Sequence, residues 1–270
     1  MLPLWPNQLL VTLSATHVAV LYRTGLTKKI LAQRAHTVAP NPEHIWQASL
    51  QTLERILVEL AVPRQTAMHI TLESDLVRYL VLPPTLRHIA TTEKMAYAQA
   101  AFREIFSTDV LNWAIQCDDV APSKPTVSAA MDQTLRIELQ TLAEKQFITL
   151  KSLQPYFVRA CNSLSKALRK ADGLVAIVEH SRLVLATFQH GVCRHIRVQA
   201  MTADWQQQLP EVLARTLALE EDVTRVVSIY APAHKSSTLA PIQHWQIKRL
   251  GLATAQTLPQ ASYPLLEVMA

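Results

Sequence analysis

Glycine is scarce in this chain: Gly25, Gly173, Gly191 and Gly251 are the only four in 270 residues. Phosphate-binding loops depend on glycine, because only a residue without Cβ lets successive backbone N–H groups close around a phosphate. With four glycines so far apart, neither a Walker loop nor a dinucleotide-binding fingerprint can be written anywhere. The G-x-S-x-G elbow of hydrolases is absent too. Cysteine is nearly as rare. Cys117, Cys161 and Cys193 are widely spaced and odd in number, which does not suit a disulfide framework. No apolar run approaches the roughly 18–20 residues of a membrane-spanning helix. No charged stretch followed by an apolar one marks a secretory leader. A cytoplasmic protein with no direct membrane span is the expectation.

What is present is enough for a core. Hydrophobic residues make up 49% of the chain and charged ones 17%, which argues against disorder. At this length one large or two modest domains are expected. The net charge is +5, yet the basic residues are scattered. Even the densest group, Arg159, Lys166, Arg169 and Lys170, spreads around a helix, so nucleic acid is not indicated as a partner. The five tryptophans, Trp5, Trp46, Trp113, Trp205 and Trp245, fall one per predicted element, as packing anchors do.

Two stretches read as the same unit. QLLVTLSA and HVAVLYR are strands in tight succession, the chain turns at Gly25, and KILAQRAHTV gives a third strand. GLVAIVEH and RLVLATF repeat the pair, Gly191 the turn and CRHIRVQA the third strand. A helix follows each. Asn41 is the expected N-cap of the first, with Pro42 at its first position and Trp46, Leu50, Leu53, Leu57 and Leu60 along its apolar stripe. Thr202 caps the second, with Asp204 in the first turn and Trp205, Leu209, Val212, Leu213 and Leu217 on its stripe. Strands MHITLES and VTRVVSIYA come next. Between the units, helices around Met95–Phe106 and Leu135–Leu142 alternate with strands LNWAIQC, TVSAAM and FITLKSL. Pro155 then opens a helix with Phe157, Cys161, Leu164 and Leu168 on one face. The expected organisation is a first lobe over residues 1–170, holding a small inserted α/β subdomain at about 86–150, and a second lobe over 171–270.

The duplicated meander and helix, the opening LLVTLSATHVAVLYR, the ITLESDLVRYLVLPP segment and the run AAMDQTLRIELQTLAEKQFITLKSLQPYFVRA resemble the actin-like (RNase H-like) ATPase fold. The chain is most similar in pattern to the PilM family of type IV pilus assembly and the cytoplasmic part of the GspL proteins of type II secretion. In nucleotide-binding members of that fold, an aspartate and a glycine on the first hairpin of each lobe hold metal and phosphate. The resemblance puts Thr12 and Ser14 at those places in the first lobe, and Ala176 and Val178 in the second. Without a carboxylate for hydrated magnesium or a bare backbone for phosphate, a degenerate nucleotide site, no cofactor and no catalysis are implied. Resemblance to PilM implies capture of a short PilN-like peptide from an inner-membrane pilus or secretion protein; resemblance to GspL implies contact with an assembly ATPase. The GspL proteins continue into a membrane helix, which the closing YPLLEVMA does not provide. The alternative is a divergent actin-fold ATPase or small-molecule kinase.

Three smaller patterns carry weaker chemistry. His190, Cys193 and His195 are metal-binding types, and alternation along a strand puts Cys193 and His195 on one face with His190 beyond the turn. A fourth ligand is not evident, and no metal site is expected. Ser163 and Lys166 make an S-x-x-K pair without the further element a penicillin-binding site requires. Asp118 and Asp119 are neighbours at a strand end and point apart, as in a solvated loop. Cys161 lies on an apolar stripe and reads as core.

Overall fold

The structure is a computed structural model; it describes residues 7–25, 28–85, 90–107, 110–202, 204–219, 223–235, 238–252 and 263–269. Trp5 and residues 86–89, where the insert was expected to begin, lie outside these.

The apolar runs form strands β1 (Gln8–Leu13), β2 (His17–Thr24) and β3 (Lys29–Thr37), then helix α1 (Gln47–Glu59) and strand β4 (Ala67–Leu72). The second unit repeats them as β9 (Gly173–Val178), β10 (Arg182–Gln189), β11 (Val192–Ala200), helix α6 (Trp205–Leu219) and β12 (Val226–Tyr230). Each central strand is buried from end to end or nearly so, which is why the runs read as continuously apolar rather than alternating. The remaining elements are β5 (Val77–Leu82), α2 (Thr91–Phe106), β6 (Trp113–Cys117), β7 (Thr126–Asp132), α3 (Gln133–Lys145), β8 (Thr149–Pro155), α4 (Tyr156–Ser163), α5 (Ser165–Leu168) and β13 (Gln246–Arg249).

Two five-stranded sheets share one topology. The first has the order β3-β2-β1-β4-β8 and the second β11-β10-β9-β12-β13. In both, the first three strands form an antiparallel meander, and a helical crossover brings the fourth strand parallel to the first. Strand β13 completes the repeat. Among the described residues the three-stranded antiparallel sheet β5-β7-β6 is hydrogen-bonded to neither, with β5 lying beside β11.

That third sheet corrects the limits expected for the insert. It runs from Val77 to Asp132, not from about 86 to 150. Helix α3 buries Leu135, Leu139, Leu142 and Ala143 in the main core, and β8 pairs parallel to β4 as the outermost strand of the first five-stranded sheet.

The start of α1 is also corrected. Asn41 does not cap it: its side-chain oxygen accepts from Glu43 N at 2.9 Å in a local turn, and the helix begins at Gln47. Buried Trp46 sets that start, its indole N–H donating to Asp132 Oδ2 at 3.0 Å. The other oxygen of Asp132 accepts from Thr134 N at 2.7 Å and caps α3, so one carboxylate ties the two helices together. The helix opened by Pro155 breaks at Leu164 into α4 and α5, and Ser163, the last residue of α4, donates its hydroxyl to Val268 O at 3.2 Å.

One hydrophobic core contains residues of both five-stranded sheets, with α4 and the C-terminal residues Tyr263–Met269 among them. A second lies between the second sheet and α6, where Leu174, Ala176 and Val178 meet Trp205, Leu209 and Leu213.

Candidate functional site

The β1–β2 and β9–β10 hairpins close with matching backbone bonds, Ser14 N to His17 O and Glu179 N to Arg182 O, each 2.9 Å. Counted back from these closures, the position matching Ser14 is Glu179, and the one matching Thr12 is Ile177. Ala176 and Val178 are out of step with Thr12 and Ser14 by one residue. Because strand side chains alternate, this puts them on the α6 face of the sheet, inside the second core. They are packing residues and are not brought together with Thr12 and Ser14.

The two hairpin tips meet. The rings of His17 and His180 lie 3.5 Å apart between centroids, and Tyr263 stacks on His17 at 5.8 Å. Around them the backbone amides are already engaged. Ser14 Oγ accepts from Thr16 N at 3.2 Å and from His17 N at 2.9 Å, while Asp75 Oδ2 accepts from Ala15 N at 2.9 Å. On the other tip, His180 N donates to Glu73 Oε2 at 3.4 Å. In return, Glu179 accepts from Ser74 twice, from the amide at 2.6 Å and from the hydroxyl at 2.7 Å. Tyr263 donates its hydroxyl to Glu73. Each sheet thus sends a glutamate to the other.

Glu73, Asp75 and Glu179 are all buried. Burial is the main cause that raises their carboxyl pKa values, with repulsion between neighbouring carboxylates adding to it for Glu73 and Glu179. Glu179 is pushed up to about 8. The charge of Arg182 opposes the rise at Glu179 and Asp75. His17 is driven down to about 4 by burial and then by His180, and burial lowers His180 as well. Both rings are neutral at neutral pH, so they bring no charge to offset the acids. Thr12, fully buried, leaves its hydroxyl without a hydrogen-bond partner, as do Thr71, its register neighbour on β4, and Asp75 at Oδ1.

The weaker patterns are placed as follows. Between β10 and β11 a bulge falls at Arg194, since Phe188 pairs with Cys193 and Thr187 with His195. The extra residue sends Cys193 and His195 to opposite faces, against the alternation expected for them. Cys193 packs towards the core while His195 is exposed, and His190 sits 3.9 Å from Asp172. Among the described residues no group of three or more histidines, cysteines or acids is arranged to hold a metal. Ser163 and Lys166 fall on different helices. Asp118 and Asp119 are exposed after β6. Cys161 faces a cavity of about 280 Å³ that Cys193 also lines, and burial pushes its thiol well above the usual range. Trp46 and Trp205 are buried core anchors.

A larger concavity, about 920 Å³, runs between the third sheet and the first. Strand β6 and the β7 residues behind it form one wall; β8, α3 and α4 form the other. Both β6 and β8 are outermost strands of their sheets. Among the described residues no strand pairs with their outer edges.

Sequence reasoning did not find the carboxylates at the tips. The available signal was that two strongly apolar strands, MHITL and LVAIV, each run directly into a glutamate.

Duplicated meander-and-crossover sheets meeting at their hairpin tips define the two-lobed actin-like ATPase fold. No protein-family model matches the chain, and no curated protein matches it in sequence. Solved structures do. The cytoplasmic domain of EpsL, an inner membrane component of the type II secretion system of Vibrio cholerae, is 13% identical with a TM-score of 0.58, over 97% of this chain and 92% of that one. A Bacteroides thetaiotaomicron protein of actin-like ATPase fold and unknown function is 10% identical with a TM-score of 0.60, over 90% of each chain. The PilM–PilN type IV pilus biogenesis complex gives 12% identity and a TM-score of 0.63, over 90% of this chain and 88% of that one. Among the described residues no helix is long and apolar enough to cross a membrane.

Proposed function

We propose that this protein is a non-catalytic binding component of a type IV pilus or type II secretion assembly, working at the cytoplasmic side of the inner membrane. The observation that carries the reading is the groove between β6 and β8. Two exposed strand edges facing one concavity offer rows of backbone donors and acceptors to an extended segment, with side-chain pockets between them. The occupant is a short cytoplasmic segment of an inner-membrane protein, as in the PilN-like reading; an assembly ATPase is the second candidate partner. The likeness to the EpsL cytoplasmic domain and to the PilM–PilN complex supports this setting.

The hairpin tips support the absence of catalysis. The residues present do not fit a magnesium nucleotide, because Ala15, Thr16, His17 and His180 already give their N–H groups to the chain's own side chains. Neither Thr12 nor Ile177 supplies a carboxylate.

The test is binding of synthetic cytoplasmic segments from candidate inner-membrane partners, measured by calorimetry on the whole chain. Gln116 on β6 and Gln140 on α3 are exposed residues on facing walls. Substituting both with arginine fills the groove with bulk and charge and weakens binding at least about tenfold, roughly 1.4 kcal/mol. Undiminished binding by that variant overturns the groove assignment.

A further inference from the structure

The seam between the hairpin tips has chemistry that packing alone does not call for. Glu73 follows β4 and reaches the amide of His180; Glu179 follows β9 and reaches the amide and hydroxyl of Ser74. Glu73 also holds Tyr263, which immediately precedes the 3-10 turn Pro264–Met269. That turn lies against β1 and α4 on one side and the Pro232–His234 turn on the other. Its Glu267 accepts from Tyr230 at 3.0 Å and pairs with Lys235, and Ser163 donates to Val268 O at 3.2 Å. Leu265, Leu266, Val268 and Met269 are buried. The segment therefore bridges both lobes, fastened at one end by a glutamate of the seam.

We propose that Glu73 and Glu179 form a proton-dependent latch, which holds the two lobes closed and the segment Tyr263–Met269 seated. The groups facing the pair are Asp75, Arg182, His17, His180, Tyr79 and Tyr263, with Tyr156, Tyr230, Glu267 and Lys235 behind them. Arg182 is the cation acting on this set, and one guanidinium cannot balance three carboxylates. The histidines are held neutral. Burial with too little positive charge therefore favours protonated over ionised carboxyls while the seam is closed. Ionisation leaves buried like charges within one seam, and the relief is separation of the tips, which frees Tyr263 from Glu73. The shared hydrophobic core on the α4 side keeps the lobes joined and acts as the hinge. The latch does not depend on the groove or its occupant.

Hydrogen–deuterium exchange on the whole chain reads it directly. Between about pH 6 and pH 9, after correction for intrinsic chemistry, exchange at Ser74, His180 and residues 265–269 rises at least about tenfold in the native protein. The double variant Glu73→Gln, Glu179→Gln keeps the neutral shape and stays protected at both values. Equal protection of the native protein across that range overturns the proposal, as does a variant that opens like the native chain. Should the variant not fold, titration of glutamate carboxyls by carbon NMR in the native protein decides the matter. At least one carboxyl still protonated above about pH 6 is expected, and titration of all of them near the ordinary range of about 4 to 5 overturns the latch.

Discussion

Glu73 and Glu179 each satisfy backbone of the opposite lobe: the first accepts from His180 N, the second from Ser74 N. Neither hydrogen bond exists within a single lobe, so closure and carboxyl chemistry are one property of the molecule.

The first prediction concerns pH and stability. Glu179 has a folded-state pKa raised from 4.5 to about 8. The folded chain holds this proton to higher pH than the unfolded chain does. Its contribution is therefore complete below the unfolded value and is lost as pH rises towards about 8. The expected slope is up to about 1.4 kcal/mol per pH unit for each such group. Urea unfolding at intervals from about pH 5 to pH 9 should show falling stability, and Glu179→Gln should flatten the curve. Rising stability over that interval would contradict the assignment.

A second prediction concerns nucleotide. Because the tip amides are engaged by Ser14, Asp75 and Glu73, millimolar Mg·ATP should leave the thermal midpoint unchanged. Binding at a hundred times the dissociation constant would add about 2.7 kcal/mol, a visible shift. Such a shift would bring the divergent ATPase or kinase reading forward.

Gly191 is the third. Its φ is +77°, and a Cβ built there would lie 2.1 Å from Arg169 O, a backbone atom. Gly191→Ala should cost more than about 2 kcal/mol, combining left-handed strain with that overlap. Gly25 has φ +74° but nothing within 4 Å. Gly25→Ala should therefore cost only the backbone term, about 1 kcal/mol.

The fourth tests Asp132, which caps α3 with one oxygen and receives the Trp46 indole with the other. Asp132→Ala should remove both at once, for a loss of about 2 kcal/mol. Asp132→Asn, which keeps an acceptor, should lose less. Equal losses would mean that one acceptor is not enough and that both oxygens must accept.

Much of the fold was legible because both repeats put fully buried strands beside amphipathic helices. QLLVTL and GLVAIV could hardly be anything but central strands. Strand β13 was not legible: four residues, mostly exposed, carry too little hydrophobic signal. The insert was drawn too far along the chain because the pattern of β8 does not reveal which sheet receives it, and that is decided by its pairing with β4. The bulge at Arg194 defeated the face expected for Cys193 and His195, since one extra residue inverts the alternation. As for the site, a glutamate after a strand is ordinarily a solvated one. Only the meeting of the two tips buries Glu73 and Glu179, and no local pattern records that meeting.

The engaged amides at the tips bear on time as well as on binding. In an actin-like ATPase, a closure held by nucleotide lasts as long as the nucleotide does, and hydrolysis is its clock. Here the side chains that engage the tip amides, those of Ser14, Asp75 and Glu73, are covalently part of the chain and are not consumed by holding them. On the non-catalytic reading proposed above, whatever the lobes hold together they hold without a timer.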